Sequence, residues 1–160
     1  GTTAVGYSAG TGQSGNRATM VGRTSGRDGA GDNCTYVGYE AGRGNQGDEC
    51  VAVGEDALNY YIGSSTYEAV RDWGFATAVG KSASVGAHYA TALGHNAQAI
   101  HTQSVALGAG TTSTADDQVM VGPRDVEITD ATKGVVLKSP DGSRWRITID
   151  NSGVISAASI

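Results

Sequence analysis

A short phrase returns eight times along this chain and limits what it can fold into. It reads Thr-Ala-Val-Gly at 3–6, Thr-Met-Val-Gly at 19–22, Thr-Tyr-Val-Gly at 35–38 and Val-Ala-Val-Gly at 51–54. It returns as Thr-Ala-Val-Gly at 77–80, Thr-Ala-Leu-Gly at 91–94, Val-Ala-Leu-Gly at 105–108 and Val-Met-Val-Gly at 119–122. The closing glycines lie 16, 16, 16, 26, 14, 14 and 14 residues apart. A flexible glycine-rich linker holds no such register. Each copy is a short β-branched run ended by Gly, a strand followed by a bend, and no 3.6-residue period survives the glycines. Units of 14–16 residues are too short for helical solenoids, which leaves an all-β solenoid. Its coils stack at about 4.8 Å, so eight coils span roughly 38 Å.

Composition agrees with a thin coil. Glycine fills 25 of 160 positions and Phe, Trp and Tyr together only ten, too few large side chains for a thick globular core. The formal charge of −5 argues against nucleic acid and anionic membrane as partners. No apolar run is long enough for a membrane-spanning helix, so no membrane insertion is expected. No charged, apolar leader stands ahead of Gly1, and a secretory signal is not expected within these residues.

Alternation sorts each strand into two faces. One carries Val5, Val21, Val37, Val53, Val79, Leu93, Leu107 and Val121, with Thr or Val two residues earlier. This branched face is expected to fill the coil. The other carries Ala18, Cys34, Tyr36, Cys50, Ala52, Ala78, Ala92 and Ala106, among others. Its small apolar side chains call for cover as well, and in so thin a coil that cover is expected from other chains. These eight residues are therefore the expected interface of an obligate homo-oligomer.

The segments Ala90-Thr-Ala-Leu-Gly-His-Asn-Ala-Gln-Ala99 and Ser104-Val-Ala-Leu-Gly-Ala-Gly-Thr-Thr-Ser113 resemble the head repeat of trimeric autotransporter adhesins. The resemblance covers about 3–122 and is tightest at 77–122. It implies a YadA-like β-roll, left-handed and assembled as a parallel homotrimer. The 16-residue coils resemble phrases common in bacteriophage tail fibres. The C-terminal residues, with turns at Pro140-Asp141-Gly142 and Asn151-Ser152-Gly153, read as a three-stranded meander similar to the endings of such fibres. The expected division is a repeat region at 1–122, with an insertion at 58–75, followed by a β-meander at 123–160 for trimerisation or for the tip. No autotransporter neck, stalk or anchor barrel lies within the 160 residues. The resemblance thus implies a non-enzymatic virion tail appendage that contacts other tail proteins and a host-surface receptor, possible glycans included. A bacterial surface adhesin head is the alternative location and role.

The insertion between Gly54 and Gly80 concentrates aromatic residues: Tyr60, Tyr61, Tyr67, Trp73 and Phe75 are half of the chain's ten. Aromatic rings form binding hot spots, so these five are the candidate receptor contacts, with Arg144 and Trp145 as a second surface; a loop that merely braces the coil is the competing reading. Cys34 and Cys50 stack one coil apart, either as small core residues or as a strained bridge. Asp32 and Asp48 also stack, as exposed turn residues or as a weak calcium ladder. His88, His95 and His101 occupy different phases of the repeat and do not converge. Glu55, Asp56, Glu68 and Asp72 are the carboxylates a glycan hydrolase would need. No Gly-x-Ser-x-Gly, His-Glu-x-x-His or P-loop motif occurs, and no cofactor is expected. An ice-binding solenoid is disfavoured because the Thr column at 3, 19 and 35 is interrupted by Val51 and is expected to face inward.

Overall fold

The computed structural model describes residues 1–59, 73–123, 125–130 and 132–160. The chain divides into two compact units, Gly1–Pro123 and Arg124–Ile160. Among the described residues every regular element is a β-strand, and no helix is long and apolar enough to cross a membrane.

The first unit is a parallel β-solenoid. Eight three-residue strands hydrogen-bond in order: β1 (Thr3–Val5), β2 (Thr19–Val21), β3 (Thr35–Val37), β4 (Val51–Val53), β5 (Thr77–Val79), β7 (Thr91–Leu93), β9 (Val105–Leu107) and β10 (Val119–Val121). Eight rungs enclose seven turns. Pairing is in register throughout, so Val37 lies between Val21 and Val53, and Ala92 between Ala78 and Ala106. The narrow coils have a second wall, β6 (Ser84–Val85) paired with β8 (Gln98–Ala99), continued by a bridge from Gln98 to Thr112.

Glycine recurs after each strand for a reason visible at Gly38. Its φ is +139°, and a Cβ there would meet the Gly54 carbonyl oxygen at 2.4 Å. Any side chain would force adjacent rungs apart. Two further corners per coil are left-handed and, with one exception, lack glycine. One runs through Arg17, Asn33, Glu49, Phe75, Tyr89, Gln103 and Asp117, all with φ between 53° and 60°. The other runs through Ser8, Thr24, Glu40, Asp56, Ser82 and Asn96, with Gly110 at the same corner of the last coil. A left-handed L-residue costs roughly 1–2 kcal/mol. The corners hold because their N–H groups continue the rung-to-rung ladder, as in Glu49 N–H to Asp32 O at 2.8 Å and Asp56 N–H to Tyr39 O at 2.8 Å.

The core contradicts the expected assignment of faces. Ala18, Cys34, Tyr36, Cys50, Ala52, Ala78, Ala92 and Ala106 are all buried within the single chain. They fill the coil rather than waiting for another copy, and they are not available as an intersubunit surface. The branched column faces outward: Val5 is 57% exposed, Leu93 43%, and Val21, Val37, Val53, Leu107 and Val121 are exposed too. The narrow coils explain why, since Ala76, Ala78, Ala90 and Ala92 share their interior with Ala83, Ala97 and Ala99 of the opposite wall. Bulky side chains pointing inward from every rung would overpack that space.

The second unit is an antiparallel sheet of β11 (Val135–Lys138), β12 (Arg144–Ile149) and β13 (Ile155–Ser159). Its turns are fixed by aspartates. Asp150 Oδ1 accepts the N–H groups of Ser152 at 2.8 Å and Val154 at 2.9 Å, and Asp141 Oδ1 accepts that of Ser143 at 2.9 Å. The Ser139 hydroxyl together with the Ser143 N–H holds the Asp141 carboxyl below its ordinary value, and the Val154 and Ser152 donors do the same for Asp150.

Candidate functional site: the outer face and its aromatic corner

The outward side of the large sheet is the most continuous feature of the solenoid surface. Period two places each corner residue on the same side as the Thr or Val two positions on and the Val or Leu beyond it. Arg17–Thr19–Val21 and Gln103–Val105–Leu107 are two such rows. Along the axis the rows form an apolar stripe of Val and Leu across all eight rungs, bordered on one side by the left-handed corners. The Thr column is thus outward-facing, contrary to expectation, though Val51 still interrupts it.

The corner column brings together two of the expected aromatic contacts and adds two residues that the insertion alone did not suggest. Phe75 and Tyr89 are stacked, with centroids 4.9 Å apart and planes 13° from parallel. They remain 47% and 55% exposed. Trp73 packs edge-on against His88 at 5.3 Å, and His88 Nδ1 accepts the Gly74 N–H at 3.2 Å. Tyr89 and His88 lie 14 residues beyond Phe75 and Gly74, so the repeat period was the signal that could have found them. One face of the Phe75 ring is occupied by Tyr89, and the pair keeps about half of its surface exposed. Tyr60, Tyr61 and Tyr67, together with Glu68 and Asp72, lie outside the described residues.

The position after the repeat glycine carries a second ladder that the sequence reading missed. Arg23 sits between Tyr7 and Tyr39, its guanidinium carbon 5.8 and 5.7 Å from the two ring centroids. Such stacking contributes about 0.5–1 kcal/mol at exposed sites. Its signal was the 16-residue phase of Tyr7, Arg23 and Tyr39. Farther along, Lys81 Nζ pairs with Glu55 Oε1 at 3.1 Å, and Asp56 Oδ1 accepts from Asn59 at 3.0 Å. Glu55 and Asp56 are thus engaged in surface contacts of their own.

The stacked aspartates serve the backbone. Asp32 Oδ1 accepts the Asn16 N–H at 2.6 Å, and Asp48 Oδ1 accepts the Asp32 N–H at 2.7 Å. Each carboxylate caps the rung before it. Among the described residues no three His, Cys, Asp or Glu side chains group to hold a metal ion.

Cys34 and Cys50 are free and buried. The Cys34 thiol is lowered to about 7 by hydrogen bonding from Cys50, against the opposing effect of burial. Cys50 is pushed up by that hydrogen bond and by burial. Beside them Tyr36 is fully buried, its hydroxyl accepting from Asn45 Nδ2 at 2.7 Å, and burial raises its pKa. This network fills the coil.

Arg144 and Trp145 do not form one surface. Adjacent in β12, they point to opposite faces, Trp145 with Leu137 and Ser159 and Arg144 with Lys138.

Residues 75–97 and 86–111 match the family model described as the YadA head domain repeat, in two copies. Here the chain is similar to YadA heads. The two matched copies span β5, β7 and β9, and they include the Phe75–Tyr89 corner and the outward Leu93 and Leu107. No curated protein and no solved structure matches the chain.

Proposed function

We propose that the chain is a non-enzymatic, self-associating fibre segment of a phage tail appendage that displays surface-binding sites in threefold copy. The observation that carries this reading is the outward Val/Leu column. An apolar stripe repeated on eight rungs is a surface that a soluble chain covers, and a parallel copy in register matches it rung for rung. YadA-type repeats support a trimeric, adhesin-like structural and binding role. In such a trimer the Phe75–Tyr89 corner is presented three times, and effective concentration raises a weak single-site affinity for a host surface component such as a glycan. The same match favours a second reading, a head segment of a bacterial surface adhesin, with the same mechanism at a different location.

Sedimentation of the full chain tests the assembly. The wild type is expected as a trimer at micromolar concentration, while Val37→Glu/Leu93→Glu is expected as a folded monomer, because both side chains point away from the core. A wild-type monomer overturns the reading. Whole-cell binding by the trimer is expected to fall at least tenfold in Phe75→Ala/Tyr89→Ala, about 1.4 kcal/mol per site. Undiminished binding removes the corner from the proposal.

A further inference from the structure

The column that follows the repeat glycines carries Tyr7, Arg23 and Tyr39 on the first three rungs. All three are exposed, Tyr7 by 75% and Tyr39 by 42%. The Arg23 guanidinium lies over both rings, its carbon 5.8 and 5.7 Å from their centroids. The backbone beneath is tied from rung to rung. Thr24 N–H donates to the Tyr7 carbonyl at 2.8 Å, Glu40 N–H to that of Arg23 at 3.0 Å and Asp56 N–H to that of Tyr39 at 2.8 Å. The three side chains thus stand on a rigid wall, and the two rings restrict the rotamers of the cation between them. The carboxylates of this column and the next are already used. Glu40 accepts from Arg43 and Asn59, Glu55 from Lys81, and Asp56 from Asn59. Ion pairs among the described residues take Arg27, Arg43 and Lys81. Among the same residues the Arg23 guanidinium meets neither a carboxylate nor another hydrogen-bond acceptor. It is a preorganised cation without an anion.

We infer that Tyr7, Arg23 and Tyr39 form a binding site for a carboxylated saccharide, its carboxylate on the Arg23 fork and its ring face on a flanking tyrosine. A guanidinium presents a planar fork that matches a carboxylate. A tyrosine ring offers an apolar face with a hydroxyl at its edge. A pyranose that bears a carboxylate on its ring carries both complements in one rigid unit, a C–H face beside an anion. An acidic peptide brings its carboxylate on a flexible stem with no flat apolar face attached. A nucleic acid would bring rings and phosphates, but the formal charge of −5 opposes it. A tyrosine on each side of the fork gives the next sugar of the same oligosaccharide a ring to meet. The site goes beyond the fibre role proposed above. It lies within one chain, on other rungs than the Phe75–Tyr89 corner, and needs no second copy.

Three probes of matched length separate the two halves of this chemistry. Trigalacturonic acid carries rings and carboxylates, maltotriose rings alone and triglutamic acid carboxylates alone. In titration calorimetry of the full chain at low salt, trigalacturonic acid is expected to bind about tenfold more tightly than either of the others. Arg23→Gln is expected to weaken that binding about tenfold, and Arg23→Lys, which keeps the charge but loses the fork, several-fold. Lys133→Gln removes a charge from the other unit and should leave binding within about twofold of wild type. Arg23 is exposed, so its variants are expected to keep the wild-type urea midpoint. If Arg23→Gln does not fold, Arg23→Lys carries the same comparison. Equal binding of triglutamic acid reduces the site to a bare charge, and equal binding of maltotriose reduces it to bare rings; either result overturns the inference. So does a wild-type chain that binds no trigalacturonic acid, or an Arg23→Gln chain that binds it undiminished. Phe75→Ala/Tyr89→Ala is expected to bind the acidic sugar as wild type does. If it does not, the sugar sits at that corner, and this inference falls while the corner stands. These outcomes read the same in a monomer or a trimer, so failure of the self-association reading and failure of this one are told apart.

Discussion

The wide coils before Gly54 and the narrow coils after Gly80 are built on one strand phrase, yet they solve the interior in different ways. In the wide coils two extra residues per turn open the cross-section, and Met20, Tyr36 and Asn45 fill it, all buried. Polar atoms enter with them and must be paired, as Tyr36 is with Asn45 and Ser25 Oγ is with the Tyr36 carbonyl at 3.0 Å. In the narrow coils the interior columns are almost entirely alanine. Coil length therefore sets side-chain size: a longer turn needs large residues to avoid voids, and a shorter one is filled mostly by alanine, with Val85 the largest apolar side chain inside it.

The comparison predicts opposite sensitivities. The largest effect is expected from Tyr36→Ala, which opens a cavity and strands Asn45, at a cost of about 3–5 kcal/mol in urea unfolding at fixed protein concentration. A loss below about 1 kcal/mol would mean that the wide coil collapses freely and that its width is not held by its filling. Ala92→Leu should destabilise by about 1–3 kcal/mol, because Ala78 and Ala106 bracket it on adjacent rungs, whereas Met20→Leu in the wide coil should cost less than about 1.5 kcal/mol. Equal costs for the two substitutions would erase the distinction. The smallest effect concerns Glu40, at a wide-coil corner. Burial raises its pKa, but Arg43 at 3.1 Å and Asn59 at 3.1 Å donate to the carboxylate and hold it below the ordinary value. A depressed carboxyl contributes stability that is complete above its unfolded-state pKa and lost as pH falls through the folded one. Glu40→Gln should therefore flatten the acid limb of the stability curve by less than about 1 kcal/mol while leaving neutral-pH unfolding almost unchanged.

The phase of the glycines was legible because backbone contact permits no substitute: a side chain at Gly38 collides with the next rung, so the period is written directly into the sequence. The eight strands of the large sheet followed from it, while the separate C-terminal meander was legible in its two turns. Which face of the strand turns inward did not follow, because Val and Ala are both apolar and alternation is blind to the direction in which a coil closes. One signal was present. The branched face continues into Arg17, Glu49, Gln103 and Asp117, and a column that accepts charge at one end belongs outside. The aromatic corner was half legible: Phe75 and Trp73 stand out by composition, whereas Tyr89 and His88 join them only when coils of 14 residues bring them one rung away.

By itself, the sequence determined the repeat, because steric exclusion between stacked backbones leaves glycine alone after each of the first six strands of the large sheet. The tertiary structure decided inside from outside. That choice depends on the width between two walls, a distance that arises only when the left-handed corners fold each turn back on itself; in the narrow coils it leaves the inner column of the large sheet to Ala78, Ala92 and Ala106.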